Sequence, residues 1–511
     1  MVVRPALLAS LRRRLESPLQ RELLACAVVA AVLVVCRAVV PLRYEQLFDS
    51  DQAIVGLMAK HLSEFRTFPL FFYGQHYMLG VQSWIAVPFF WIGGPTVAML
   101  RLPLVIVNII VAVLFIVSFA RCGLRPVHGL VAALPIVVTT PVMSVELLAT
   151  IGASIEPFAY VALLWALRTR PVAFGTVLCL GSLHREFTMF ALPAIVVAEW
   201  RGWRSWSAAR WAKGAGAFAA AWLLVDVLKR QVNVFGPSGG LDTTGSAALG
   251  TKTILRWLSF QWDPYAARLR ELVTWGLPDM YGIRPYPLNY YGLPTTLRVG
   301  SMIAAVALVG AAGVSLYRMA WLARRTEVRR RGGDDGVRFC VYMALIGLQT
   351  ILAYGLNGGI AVGMPPVLRY AMFALLLPVA LLGLYFQIET SRRWRAGIAV
   401  AIAVWATCNV VDNVRLVRDF AAAPPPRHRR VMADYLVAHG IKYGRAQYWD
   451  AYSIVFLSRE RVILASTEKI RISAYEAQVE AHPSTAVTLR REPCNDGIRV
   501  AAWCLVEPGA R

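Results

Sequence analysis

The sequence predicts an α-helical membrane protein that crosses the bilayer many times and ends in a small α/β domain. Its 511 residues are 57% hydrophobic and only 16% charged, whereas ordinary soluble domains are about a quarter charged. The mean hydropathy is +0.53. Apolar runs of nearly bilayer-spanning length, about 20 residues each, recur as far as residue 412. Shorter strand-like and helical stretches follow them.

The net charge of +23 raises the possibility of nucleic-acid binding. Nucleic-acid-binding proteins carry a basic patch on a soluble face. The arginines instead form short clusters between apolar runs, such as Arg168/Arg170 and Arg392/Arg393/Arg395. That distribution is typical of cytoplasmic loops. We therefore expect no nucleic-acid partner. We expect an integral plasma (inner) membrane protein with a cytoplasmic N-terminus and an uncleaved first span.

Placing each basic cluster inside predicts eleven spans, and this odd number places the C-terminus outside. The membrane domain would comprise residues 1–412, with outer loops 42–95 and 230–298, and residues 413–511 would form the extracytoplasmic domain. The predicted spans are about 23–41, 96–120, 129–147, 152–167, 171–184, 186–200, 214–229, 299–317, 339–356, 369–387 and 396–412.

The tail is predicted to begin with a helix over 427–438, which ends at Gly440, a residue type common after helix C-termini. Cys494 and Cys504 could form a disulfide in an oxidising compartment, or they could remain two buried free thiols. Strand-like runs occupy 442–448, 461–466, 485–490 and 498–506.

Asp49 and Asp51 directly precede a predicted amphipathic helix, 53–65, in the first outer loop. Asp49 and Gln52 have the spacing of a capping box, so one aspartate is expected to cap the helix. Two acids in three residues exceed what one helix start needs. The alternative role is a general base, or an anchor for a metal, at the membrane surface.

Other charged residues lie at predicted outer turns, where they are costly and often functional. Glu146 and Glu156 are candidate second acids. His184, Arg185 and Glu186 lie together at one such turn. They form either a local Arg185–Glu186 pair that closes a tight hairpin or a site for an anionic-lipid phosphate. Arg369 could hold a phosphate bidentately, or it could belong to an ordinary interfacial Arg–Tyr belt.

Two further arginines, Arg37 and Arg101, are interpreted as side chains that extend to the membrane surface. Aromatic side chains in the loops could pack against sugar rings, although they equally suit the headgroup layer. The candidates for a substrate loop are Tyr73, His76, Tyr77, Trp262, Tyr290 and Tyr370.

The run FDSDQAIVGLMAKHL and the segment from Gly94 to Pro103, with its R-L-P ending, resemble the first outer loop of the GT-C superfamily. The likeness is to the branch that contains protein O-mannosyltransferases and the lipid A aminoarabinose transferase (glycosyltransferase family 39-like). LRYAMFALLLPVALL resembles the family's Arg–Tyr segment near a late span.

The resemblance implies a GT-C membrane glycosyltransferase that uses a polyprenyl-phosphate sugar and an extracytoplasmic acceptor. It implies Asp49 or Asp51 as the first-loop acid/base, and Glu146 or Glu156 as an added acid. Arg369 or Arg185 would stabilise the departing lipid phosphate. No cofactor is certain, and a divalent metal could assist. A transporter or flippase of a lipid-linked substrate and a non-catalytic GT-C-like scaffold are the alternatives.

Overall fold

A computed structural model describes most of the chain. The described residues are 17–45, 47–75, 78–204, 206–232, 261–284, 298–324, 334–357, 360–491, 494–495 and 497–508. Three of the predicted substrate-loop residues, His76, Tyr77 and Tyr290, lie outside them.

Helices account for the described structure up to Ala422. Short 3₁₀ segments occupy Glu186–Phe190, Leu368–Tyr370 and Met372–Leu375, and a π-turn occupies Leu272–Gly276. The helices are α1 (Pro18–Arg43), α2 (Ser50–Ser63), α3 (Val81–Gly93), α4 (Val97–Arg121), α5 (Pro126–Val137), α6 (Pro141–Glu146), α7 (Glu156–Leu167), α8 (Pro171–His184), α9 (Ala191–Ala198), α10 (Trp200–Arg204), α11 (Ala208–Val232), α12 (Trp262–Glu271), α13 (Leu277–Tyr281), α14 (Arg298–Arg324), α15 (Asp334–Gly355), α16 (Leu376–Ile388) and α17 (Arg392–Ala422).

Within the described residues, six helices are long and apolar enough to cross a bilayer, and six shorter apolar helices accompany them. The six long ones coincide with α1, α4, α11, α14, α15 and α17. The expectation of a polytopic α-helical membrane protein is therefore confirmed.

Several predicted spans differ from the helices that form. The run 186–200 is divided among Glu186–Phe190, α9 and α10, and the run 369–387 begins with two 3₁₀ segments before α16. The run 129–147 is interrupted, because α5 ends at Val137 and α6 begins at Pro141, with Thr140 as its cap. Proline suits a first helical turn, since it has no amide hydrogen to satisfy there. The last span is longer than expected, so α17 passes through the proposed boundary at residue 412 and ends at Ala422.

The tail forms the predicted α/β domain, with a mixed five-stranded sheet in the order β2-β1-β3-β5-β4. β1 pairs in parallel with β2 and β3, while β5 pairs antiparallel with β3 and β4. The predicted strand 498–506 is instead a hairpin that turns at Ala501. The elements are α18 (His428–Ala438), β1 (Tyr443–Ala446), α19 (Tyr448–Leu457), β2 (Ile463–Ser466), α20 (Ser473–Glu480), β3 (Val487–Arg491), β4 (Ile498–Val500) and β5 (Trp503–Val506).

Two local predictions for the domain agree with the structure. α18 occupies almost the whole predicted range, and Gly440 follows it with a φ of 68°. Cys494 and Cys504 are joined as a disulfide, with their Cα atoms 5.0 Å apart.

The domain does not have a core of its own. Its buried residues and those of α2 belong to one hydrophobic cluster. Gly56 of α2 lies so close to α19 that a Cβ there would be 2.6 Å from Phe456 Cε2. The rings of Phe48 and Phe456 pack at 5.3 Å between centroids. The first loop is therefore fixed between the bundle and the domain. We call this end of the bundle the domain face.

Candidate functional site

Arg101 builds the start of the first loop. This residue is 2% exposed. The expectation that it extends to the membrane surface is therefore wrong. Its guanidinium donates to the carbonyl oxygens of Pro41, Tyr44 and Leu47 and to Gln52 Oε1, the last at 2.6 Å from Nη2. Pro41 lies in the last turn of α1, Tyr44 and Leu47 follow that helix, and Gln52 lies in the first turn of α2. Arg101 therefore fixes where α2 begins.

The two aspartates have different roles at this helix start. Asp49 is the N-cap, and its Oδ1 accepts a hydrogen bond from the Gln52 amide at 3.0 Å. Asp51 lies in the first turn and is not the cap. Its Oδ1 accepts from the Tyr448 hydroxyl at 2.6 Å, and its Oδ2 lies 3.9 Å from Arg369 Nη1. Thus Asp51 is the carboxylate that faces a cation.

The two carboxylates also affect each other. Burial raises the pKa of Asp49, and the charge of Asp51 raises it further. The Gln52 amide, Arg429 and Arg369 oppose this rise without cancelling it. A carboxyl with a raised pKa takes up a proton more readily near neutral pH.

Arg369 lies in the 3₁₀ segment before α16, beside Tyr370. Burial lowers the pKa of Arg369, but Tyr370, Glu146 and Asp51 more than compensate, and the pKa is raised. The guanidinium therefore stays charged. Its Nε is buried and has no hydrogen-bond acceptor among the described residues. The Arg369 side chain is thus held in place, and its Nε–H remains available as a donor to a ligand.

Arg185 also lies near the Tyr370 ring. Its guanidinium carbon is 5.8 Å from the Tyr370 ring centroid, and that of Arg369 is 5.2 Å away. The predicted Arg–Glu pair is weak, since Arg185 Nε is 4.0 Å from a Glu186 carboxylate that is 61% exposed. Arg185 Nη1 instead approaches Met78 Sδ at 3.6 Å. The first loop, the turn after α8 and the turn before α16 therefore converge.

The C-terminal domain completes the site with three residues that sequence reasoning missed. Tyr448 is held between Asp51 and Arg471, whose Nε lies 3.5 Å from the hydroxyl. Burial raises the pKa of Tyr448, and the Asp51 charge raises it further, so the phenol remains a donor. Burial, followed by the charge of Arg471, lowers the pKa of Lys469, which also interacts electrostatically with Asp51.

Glu146 is buried at the end of α6 and interacts electrostatically with Arg369, so it belongs to the site's surroundings. Glu156 and His184 form a separate buried cluster at the start of α7. Glu156 Oε2 accepts from the Ser154 amide at 2.8 Å, and His184 Nε2 lies 2.7 Å from the Gly152 carbonyl oxygen. This cluster fixes the turn before α7.

Two aromatic candidates lie elsewhere. Tyr73 is buried, and its hydroxyl lies 3.0 Å from His61 Nδ1 and 2.8 Å from Thr67 Oγ1. Trp262 starts α12, is 66% exposed and packs beside Tyr265. Of the described substrate-loop candidates, Tyr370 is therefore the one in contact with both site arginines.

A divalent cation would need several oxygen or imidazole ligands at one point. Among the described residues, no three His, Cys, Asp or Glu side chains form such a group. Asp51 is already engaged by Tyr448 and Arg369.

No protein-family model and no curated protein matches the chain. Solved structures do match. ArnT from Cupriavidus metallidurans in the apo state matches with a TM-score of 0.54 and 10% identity, over 93% of this chain and 97% of that one. The chain has the GT-C fold.

Two further GT-C structures match with lower TM-scores. ArnT bound to undecaprenyl phosphate gives 0.39 at 12% identity, over 94% of this chain and 97% of that one. The oligosaccharyltransferase AglB from Archaeoglobus fulgidus, in complex with an inhibitory peptide and a dolichol-phosphate, gives 0.49 at 13% identity, over 93% and 70%. Both TM-scores are below 0.5, so the fold assignment rests on the apo ArnT structure, and the reaction has to be argued from the site.

Proposed function

We propose that this protein is a glycosyltransferase that transfers a sugar from a polyprenyl-phosphate donor to an extracytoplasmic acceptor. The observation that carries the proposal is the pairing of Asp51 with Arg369 at the domain face, 3.9 Å apart. A carboxylate base beside a phosphate-binding guanidinium is what this transfer requires. The GT-C fold and the sequence resemblance support the same class.

The donor's lipid tail keeps its phosphate at the membrane surface, so the reaction has to occur where spans end. Arg369 would bind this phosphate and stabilise the charge that develops as it leaves. Arg185 would add a second guanidinium across the Tyr370 ring. Both side chains have a buried Nε without an acceptor among the described residues, so donors are available.

Asp51 would act as the base. The acceptor hydroxyl attacks the anomeric carbon, a new carbon–oxygen bond forms, and the bond to the phosphate oxygen breaks. The electron pair leaves with the lipid phosphate, and the hydroxyl proton passes to Asp51. Tyr448 would orient the carboxylate through its 2.6 Å hydrogen bond. Asp49 would act as the helix cap.

The two aspartates provide a matched test. Asp51→Asn should lower kcat by about 10²- to 10⁴-fold, the usual contribution of a general base. Asp49→Asn should keep most activity, because asparagine caps helices about as well as aspartate. The measurement is transfer from a panel of polyprenyl-phosphate sugars to envelope glycans, followed by mass spectrometry, with purified full-length protein in nanodiscs.

The results of the two variants assign the roles. Loss in Asp49→Asn with retention in Asp51→Asn would move the base to Asp49. Full transfer by the double variant would refute a first-loop carboxylate mechanism. A wild-type protein that transfers no sugar from any donor of the panel, but still binds the donors, would favour the scaffold.

A further inference from the structure

A second, basic cavity lies where the domain joins the bundle. Its volume is about 170 Å³, and it is distinct from the Asp51 site. The lining contains one carboxylate, that of Glu45. Its other ionisable side chains are basic, namely Arg427, His428, Arg429, Arg430 and Arg491. None of these residues is assigned to the proposed transfer.

Two carboxylates hold three of these arginines in fixed orientations. Glu45 accepts from Arg430 Nη2 at 2.7 Å and from its Nε at 3.0 Å. Asp450, behind the cavity, accepts from Arg429 Nε at 3.2 Å and from Arg491 Nε and Nη2 at 3.0 Å. Because two acids face three guanidinium groups, positive charge remains uncompensated.

Donor groups also remain available to a ligand. Arg429 uses Nε and Nη1, the latter on the Phe48 carbonyl, while Arg491 uses Nε and Nη2. Arg429 Nη2 and Arg491 Nη1 have no acceptor among the described residues. Arg427 is exposed and makes no ion pair within that part of the chain. Preoriented guanidinium groups with unused N–H donors are the usual means of binding phosphate.

The cavity is close along the chain to the ends of two apolar helices. Glu45 follows α1, which ends at Arg43, and Arg427 follows α17, which ends at Ala422. Both helices are long and apolar enough to span a bilayer. Basic groups close to a membrane surface attract anionic headgroups.

We propose that this cavity binds a phosphate group at the membrane surface, supplied by an anionic phospholipid headgroup or by free phosphate. A bound phosphate would bridge Arg427, Arg429 and Arg491. Since Arg429 also donates to the Phe48 carbonyl at 2.9 Å, the ligand would fix the start of the first loop. The proposal does not depend on sugar transfer.

The test compares wild type, Arg427→Glu and a charge control, Lys442→Gln, all as full-length protein in nanodiscs. Lys442 is exposed beyond the far end of α18, about 16 Å along an 11-residue helix. One arm measures phosphatidylglycerol retained by native mass spectrometry. The other titrates inorganic phosphate in phosphatidylcholine nanodiscs and follows hydrogen exchange at residues 427–434.

Wild type is expected to bind phosphatidylglycerol or inorganic phosphate. Arg427→Glu should weaken that binding by about tenfold or more, because it replaces a charge-assisted donor with a repelling carboxylate. Lys442→Gln should change it less than twofold. Retention of phosphatidylglycerol would identify a lipid source, and protection by inorganic phosphate alone a soluble one. Saturable binding of neither probe to wild type, or equal binding by Arg427→Glu, would overturn the proposal.

Discussion

Asp51 is the residue at which three distant parts of the chain meet. It belongs to the first loop, Arg369 precedes a late helix, and Tyr448 comes from the domain. Its two oxygens have different neighbours, a phenol hydroxyl and a guanidinium. In the proposed mechanism, Oδ2 would accept the hydroxyl proton while the donor phosphate engages Arg369.

Tyr448→Phe tests the orienting hydrogen bond. Removing one donor to a charged group costs about 1.5–3 kcal/mol, so kcat should fall about 10- to 100-fold while KM for the donor changes little. Tyr443→Phe is the matched control, because Tyr443 lies on β1 and stacks on His482 with centroids 4.0 Å apart. Steady-state kinetics of both variants check the prediction. An unchanged kcat in Tyr448→Phe would remove Tyr448 from the mechanism.

For single residues, the sequence shows which charged side chains lie beside predicted spans, but it does not show which residues they contact. Asp51 and Arg369 are visible because charges next to apolar runs are costly. Tyr448 is an ordinary aromatic residue in a soluble segment, and its contact with Asp51 joins residues 397 positions apart. No local pattern encodes such a contact. His184 is adjacent to Arg185 in the sequence and was predicted to share its phosphate site. Its Nε2 instead contacts the Gly152 carbonyl oxygen.

Among the elements, α2 is held to the domain by a buried ionic cluster. Glu460, whose side chain is 9% exposed, accepts from Lys60 Nζ at 2.5 Å and contacts His61 Nε2 at 2.9 Å. Arg66 also pairs with it, and Tyr475 donates to its Oε1 at 2.8 Å. The C-terminal end of α2 is therefore fixed as firmly as its N-terminal end.

Glu460→Gln tests this cluster through its pH dependence. Burial opposes ionisation of Glu460, but hydrogen bonds and charge from His61, Lys60 and Arg66 lower its pKa below the ordinary 4.5. The ionised form therefore stabilises the fold above about pH 4.5, and this contribution is lost progressively as the pH falls below that value. The variant should lose about 1–3 kcal/mol at pH 7.

Hydrogen exchange at residues 60–66 measures the loss. The difference from wild type should shrink below pH 4.5, where Glu460 of the unfolded chain begins to take up a proton while the folded chain still holds it ionised. Glu480→Gln, an exposed acid on α20, is the control and should match wild type throughout. A wild-type/Glu460→Gln difference that persists unchanged at low pH would contradict the assignment.

The end of α18 was predicted well, because Gly440 follows it with a positive φ. The start of α2 was predicted at residue 53, three residues after Ser50, and the sequence left open which aspartate caps the helix; the cap is Asp49. The hairpin at Ala501 was missed, because alanine carries no turn signal and the run 498–506 contains no Gly, Pro, Asn or Asp. The interruption before Pro141 was missed because hydrophobicity continues across it.

The whole molecule is organised around the core that α2 shares with the domain. Removing α2 from this core would expose residues that are now fully buried, including Ile54 and Met58. The bundle, the first loop and the domain therefore act as one unit at the domain face. Site geometry depends on the fit between α2 and α19.

Gly56→Ala tests that fit. The added Cβ would be 2.6 Å from Phe456 Cε2, and overpacking of this kind costs about 1–3 kcal/mol. Thermal unfolding should occur at a lower temperature, and transfer should weaken because Tyr448 moves relative to Asp51. Gly216→Ala, on α11 with no atom within 4 Å of the new Cβ, should be neutral.

A second substitution separates crowding from other effects. Phe456→Leu makes room beside residue 56, so Gly56→Ala/Phe456→Leu should recover part of the stability and of the transfer activity lost in Gly56→Ala. A double variant no better than Gly56→Ala would show that contact with Phe456 is not the cause.

The hydrogen bond between Tyr448 and Asp51 has a consequence for biosynthesis. Asp51 leaves the ribosome 397 residues before its partner, which at about 5–20 residues per second is on the order of 20 to 80 s. Throughout that interval the nascent chain already contains Asp51 and later Arg369, but not the phenol that orients the carboxylate. A newly inserted protein therefore cannot assemble the proposed catalytic group until the domain has been made and folded onto α2.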